Sequence, residues 1–63
     1  MNYDQVDELH GLVHGIREDV DSAFYAAPEM QGVFLRNARA NIERAIAISS
    51  DLLAEMERAR SVS

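Results

Sequence analysis

Residues 25–32, YAAPEMQG, interrupt a chain that otherwise has helical periodicity along its length. Pro28 disfavours a helical conformation at Ala27 and cannot donate the backbone hydrogen bond that a continuing helix needs. The same proline suits the first turn of a new helix, and Glu29 then lies near the positive end of that helix. The stretch therefore predicts helix one over about 3–26, a turn at about 27–29 and helix two over about 29–60.

Apolar residues on both sides of this turn recur at alternating intervals of three and four, the heptad pattern of helices that pack together. Asn2 is a candidate N-cap for the first helix. The heptad positions of helix one are Val6, Leu9, Val13, Ile16, Val20, Ala23 and Ala27, widened by Leu12 and Phe24. Those of helix two are Leu35, Ala38, Ile42, Ala45, Ser49, Leu52, Met56 and Ala59, widened by Phe34, Ile46, Ile48 and Leu53.

The predicted fold is an all-α antiparallel two-helix hairpin that forms a single domain over residues 1–63, because a short connection makes consecutive helices antiparallel neighbours. A chain of 63 residues without cysteine needs burial from another source than disulfides. The apolar stripe of helix two is too wide for one neighbouring helix, so we expect a homodimer that forms a four-helix bundle. The expected core and dimer contacts are Val6, Leu9, Val13, Ile16, Val20, Phe24, Phe34, Leu35, Ile42, Ile46, Leu52, Leu53 and Met56.

The charge balance disfavours binding to nucleic acid, because an acidic protein does not attract phosphates through its overall field. The formal net charge is −5, and all of this excess lies in residues 1–28. The N-terminus lacks the basic and apolar segments of a signal peptide, and no apolar run is long enough to span a membrane. We therefore expect a cytoplasmic protein. The initial Met1 favours a complete small gene product, a type common in phages and mobile elements.

The stretch HGLVHG, residues 10–15, places two glycines within helix one, where each costs about 1 kcal/mol relative to alanine. A helical wheel places Gly11 and Gly15 away from the heptad stripe. Two interpretations remain open: the glycines are tolerated on a solvated face, or they form a shallow groove for a partner helix.

Asp7, His10 and His14 in the same region have the spacing of ligands on one side of a helix. Gly11 stands where the glutamate of an HExxH metal motif would be, so exposed histidines are the favoured interpretation. We predict no metal and no cofactor.

Helix two has a second outer feature, in which alanines recur every seven residues and arginines flank them. The interpretations are a solvated face of good helix formers or a smooth surface for a partner. Together with the glycines, this feature completes the candidate partner-binding set: Gly11, His14, Gly15, Arg36, Arg39, Ala40, Arg44 and Ala47.

No catalytic motif is recognisable, and a hairpin offers no pocket of the usual catalytic size, so we expect no enzymatic activity. The favoured function is a small protein-binding regulator, meaning an inhibitor, an anti-activator or an adaptor of a larger protein. One alternative is an accessory factor that binds RNA or DNA through Arg36, Arg39 and Arg44. The other is a purely structural oligomerisation module.

Overall fold

The computed structural model describes residues 3–62, with only the backbone of Val62, and consists of two helices in contact. Helix α1 spans Tyr3–Tyr25 and helix α2 spans Pro28–Val62. The molecule measures 54 × 15 × 12 Å. Its long axis is set by α2, whose 35 residues continue past the start of the 23-residue α1. The prediction of an all-α helical hairpin is confirmed; the candidate N-cap Asn2 lies outside the described residues.

Only Ala26 and Ala27 separate the two helices, so α1 ends one residue before the predicted boundary and α2 begins at Pro28 itself. The amide of Met30 donates to the carbonyl oxygen of Ala27 at 2.9 Å, which closes the first turn of α2. The side-chain amide of Gln31 donates to the carbonyl oxygen of Ala23 at 3.1 Å. This bond satisfies one of the carbonyl groups that the end of α1 leaves without a helical partner.

The contact line between the helices follows intervals of three and four, as predicted, but its register differs from the predicted heptads. We define the contact line by a series of buried and half-buried positions: Gln5, Leu9, Leu12, Ile16, Asp19 and Ala23 of α1, Ala26 of the connection, and Phe34, Ala38, Asn41, Ala45, Ile48 and Leu52 of α2. Gly15, Ser22 and Ser49 are half-buried beside this line. The exposed members of the predicted heptads are therefore wrong as contacts within the hairpin. These positions are Val6, Val13, Val20, Ala27, Leu35, Ile42, Met56 and Ala59.

The hairpin has a very small core. Among the described residues, only the side chains of Ala23, Ala38 and Ile48 are buried. The accessible surface is 5136 Å², about a quarter more than the roughly 4,000 Å² expected for a folded monomer of 7.0 kDa. Much of the apolar surface that could stabilise the fold therefore remains exposed in a single copy.

Ile48 is the largest buried side chain, with 2% of its surface exposed. We expect Ile48→Ala to lower the free energy of unfolding by about 2–4 kcal/mol, because it leaves a cavity between the helices. Val33→Ala on the same helix is the control, since Val33 is exposed and alanine has the higher helix propensity. Urea denaturation followed by circular dichroism measures both; equal losses would show that the contact line is misplaced.

Candidate functional site

One side of the hairpin has a row of exposed apolar side chains, which we call the apolar face. Each member follows a residue of the contact line by one position. The exposed fractions of its side chains range from 38% to 77%. The face comprises Val6, Val13, Val20 and Phe24 on α1 and Leu35, Ile42, Ile46 and Leu53 on α2.

Both halves of the apolar face lie on the same side of the hairpin. A step of one residue turns about 100° in the same sense along either helix. The two helices face each other and run in opposite directions. The residues that follow the contact line by one position therefore lie on the same side of the hairpin in both helices. The positions that follow Leu9, Ile16 and Ala38 are His10, Arg17 and Arg39, which give the face a polar margin.

The opposite side of the hairpin has an ion pair between the helices. Glu8 and Arg44 each precede a contact-line residue by one position, and Nε of Arg44 lies 3.1 Å from Oε2 of Glu8. Both side chains are substantially exposed, so the pair stabilises the fold by at most about 1 kcal/mol. This contact confirms the relative rotation of the helices from which the position of the apolar face follows.

An open groove of about 930 Å³ lies at the end of the hairpin away from the turn. We call it the open-end groove. It forms because α2 continues past the start of α1. Its apolar lining is Tyr3, Val6, Leu52, Met56 and Ala59, and its polar lining is Asp4, Glu55 and Arg58.

Two aromatic side chains project from the other end of the hairpin, next to the turn. Phe24 and Tyr25 are 77% and 84% exposed, and their rings meet edge to face with centroids 4.9 Å apart. Phe24 belongs to the apolar face, whereas Tyr25 lies one position beyond it along the helix. The apolar face thus extends from a groove at one end to a projecting ring at the other.

The two glycines of HGLVHG differ in their surroundings. A Cβ atom added at Gly11 would meet nothing within 4 Å, in agreement with an outer position. A Cβ atom at Gly15 would lie 3.6 Å from Nδ2 of Asn41 on α2. The expectation that Gly15 points away from the second helix is therefore wrong. The helical wheel misplaced it because the contact line lies closer to Leu12 than the predicted heptad does.

Both histidines of α1 are exposed, and His10 borders the apolar face. Nε2 of His14 is 2.8 Å from Oε1 of Glu18, one turn further along the helix. Within residues 3–62, no three histidine, aspartate or glutamate side chains come together in a way that could hold a metal ion.

The arginines of α2 are partly neutralised by acidic neighbours. Nε of Arg39 lies 3.1 Å from Oε1 of Glu43, and Arg44 contacts Glu8. Ala40 and Ala47 are exposed on the outer side of the same helix, near Arg36. The candidate partner-binding residues therefore do not form one continuous patch. Gly11 and His14 are exposed on α1, and Arg36, Ala40 and Ala47 lie on the outer side of α2. Arg39 borders the apolar face, and Arg44 pairs with Glu8 on the opposite side of the hairpin.

Three residues that shape the hairpin, Gln31, Asn41 and Ile48, could not be assigned to the contact between the helices from the sequence. Ile48 was recognised only as a widening of the stripe, although it is the most buried side chain. Gln31 and Asn41 gave no apolar signal, because a polar residue that contacts the other helix leaves no trace in hydrophobic periodicity.

Comparison with known proteins gives no relative: no family model, no curated protein and no solved structure matches this chain. No helix within residues 3–62 combines the length and apolar character needed to cross a membrane.

The unequal surroundings of the glycines predict unequal responses to leucine. Gly11→Leu should raise the free energy of unfolding by up to about 1 kcal/mol, because the position is open and leucine favours the helix. Gly15→Leu should lower it, because the larger side chain pushes against Asn41 and α2. Thermal and urea denaturation of the two variants make the comparison, and an equal gain for both would contradict the contact at Gly15.

Proposed function

We propose that this chain is a non-enzymatic, cytoplasmic protein-binding module that acts as a homodimer. The two hairpins pack through their apolar faces into a four-helix bundle, and their outer surfaces bind another protein. The observation that carries the proposal is the apolar face itself, in which two helices present large exposed side chains on one side of the molecule.

The exposed area supports the homodimer quantitatively. The excess over a compact monomer of this mass is roughly 1,100 Å², and each partner in a standard protein–protein interface buries about 800 Å². One interface along the apolar face is therefore large enough to bring the surface to the usual value. It also supplies the buried apolar contacts that the three buried side chains of the hairpin do not provide.

Two valines provide a matched test of the dimer. Val13 lies in the middle of the apolar face and is 56% exposed, whereas Val33 is 46% exposed and lies off this face. Val13→Asp should abolish the dimer, because it places an unpaired charge in the interface, and Val33→Asp should leave it intact. Sedimentation equilibrium at micromolar concentration gives the mass. A folded wild-type monomer at every concentration would overturn the homodimer.

The outer surfaces of the bundle are the proposed site for the larger protein that the module inhibits or recruits. Support comes from Gly11, which is open on α1, and from Ala40 and Ala47, which are exposed on α2. Small side chains let another helix approach closely. Once the apolar faces are paired, these small-residue surfaces remain accessible.

An affinity experiment in the native host tests the outer surface. The wild-type protein should retain a specific protein that the double variant Ala40→Glu with Ala47→Glu does not retain, although that variant stays helical and dimeric. The dimeric Gly11→Ala variant is the control, since it adds a single methyl group at an open position. If a dimer retains no protein at all, the chain is the purely structural oligomerisation module instead.

A salt titration of the purified complex separates protein binding from the nucleic-acid alternative. Binding through small and apolar helix surfaces should depend weakly on salt, whereas neutralisation of phosphates gives a steep loss of affinity as salt rises. Replacement of Arg36, Arg39 and Arg44 by glutamine should weaken protein binding only modestly. Demonstrated RNA or DNA binding that this triple variant loses would replace the proposal by the nucleic-acid function.

A further inference from the structure

We propose that the two hairpins pair with their turns at opposite ends of the bundle, so that each copy places Phe24 in the open-end groove of the other. This inference rests on the proposed homodimer and specifies its symmetry and the residue that each copy contributes. The alternative two-fold arrangement of stacked hairpins brings both turns to the same end.

The spacing of the exposed valines supports opposite ends. Val6, Val13 and Val20 are seven residues apart and therefore symmetric about Val13. A two-fold axis can lie in the interface, perpendicular to α1 and level with Val13. This axis places Val13 against Val13 of the second copy. The same axis places Val6 against Val20 of the second copy, twice.

The same axis also brings the two ends of the apolar face together. Phe24 lies four residues beyond Val20, and the open-end groove begins three residues before Val6, at Tyr3. At 1.5 Å per residue, the ring and the groove then coincide to within about 2 Å along the helix. Pairing of the valines and filling of the groove are separate requirements, and one symmetry operation meets both.

The shapes of the two ends also favour this arrangement. The groove of about 930 Å³ has room for an aromatic ring, and its lining includes Tyr3, Val6 and Met56. With both turns at the same end, each groove would face the groove of the other copy, and neither groove would be filled. Such empty space loses the close contacts that protein interiors maintain.

Distance measurements between spin labels decide between the two arrangements, and the absence of native cysteine makes single labels straightforward. Glu29→Cys carries a label next to the turn, outside the apolar face. With the turns at opposite ends, the two labels of a dimer should be at least about 35 Å apart, close to the length of α1. With the turns at one end, they should be less than about 25 Å apart, the width of a bundle.

A second label distinguishes failure of this arrangement from failure of the dimer. Ala40→Cys lies near the middle of the hairpin, so its labels should be less than about 30 Å apart in either arrangement. No dipolar signal from this label, with a monomeric mass, would overturn the homodimer. A signal at Ala40 with a short distance at Glu29 would overturn only the opposite-end arrangement.

Substitution of Phe24 tests whether its ring occupies the open-end groove of the second copy. Phe24→Ala should weaken the dimer at least about tenfold, because a large aromatic side chain buried by the second copy is lost. Tyr25→Ala is the control, because Tyr25 is adjacent and similarly exposed but is not a member of the apolar face. This variant loses only the ring that packs edge to face on Phe24 and should have a much smaller effect. Sedimentation gives both dissociation constants; an unchanged constant for Phe24→Ala would overturn the contact.

Discussion

The connection between α1 and α2 contains only Ala26 and Ala27, with Pro28 as the first residue of the second helix. So short a connection leaves the helices no arrangement other than adjacent and antiparallel. Gln31 strengthens the constraint, because its side chain reaches back from α2 to the last turn of α1. With the helices held in this way, only the contact line of each helix packs against the other helix. The remaining apolar side chains must pack against a different partner or remain exposed to water.

Hydrophobic periodicity was sufficient to predict the helices and the turn but not the rotation of the helices about their own axes. A periodic pattern reports the centre of an apolar stripe. In α1 this stripe contains residues of two kinds: Leu12 and Ile16 contact α2, whereas Val13 and Val20 belong to the exposed apolar face. The predicted heptad therefore followed the middle of the stripe, between the contact line and the apolar face. The polar contact at Asn41 carried no apolar signal, and this is why the position of Gly15 could not be predicted.

Two sides of the hairpin have different chemistry although the same contact line borders both. On one side, Glu8 and Arg44 pair across the helices; on the other, aliphatic residues and Phe24 face outward. An exposed ion pair contributes little to stability. Its charges nevertheless oppose burial of that side, since removing them from water costs more than their mutual attraction returns. The ion pair thereby favours the apolar face over the opposite side as the interface of the proposed dimer.

The glycines of α1 agree with a hairpin whose stability depends on association. Gly11 and Gly15 each destabilise the helix by about 1 kcal/mol relative to alanine, and the structure has room for a Cβ atom at both. A hairpin whose described residues bury only three side chains has little stability to lose. In the proposed dimer, folding and association are coupled, because a partner that binds only the folded form stabilises it by mass action. The free energy of the interface then offsets the cost of both glycines, of which Gly11 lies in open space and Gly15 lies beside Asn41 of α2.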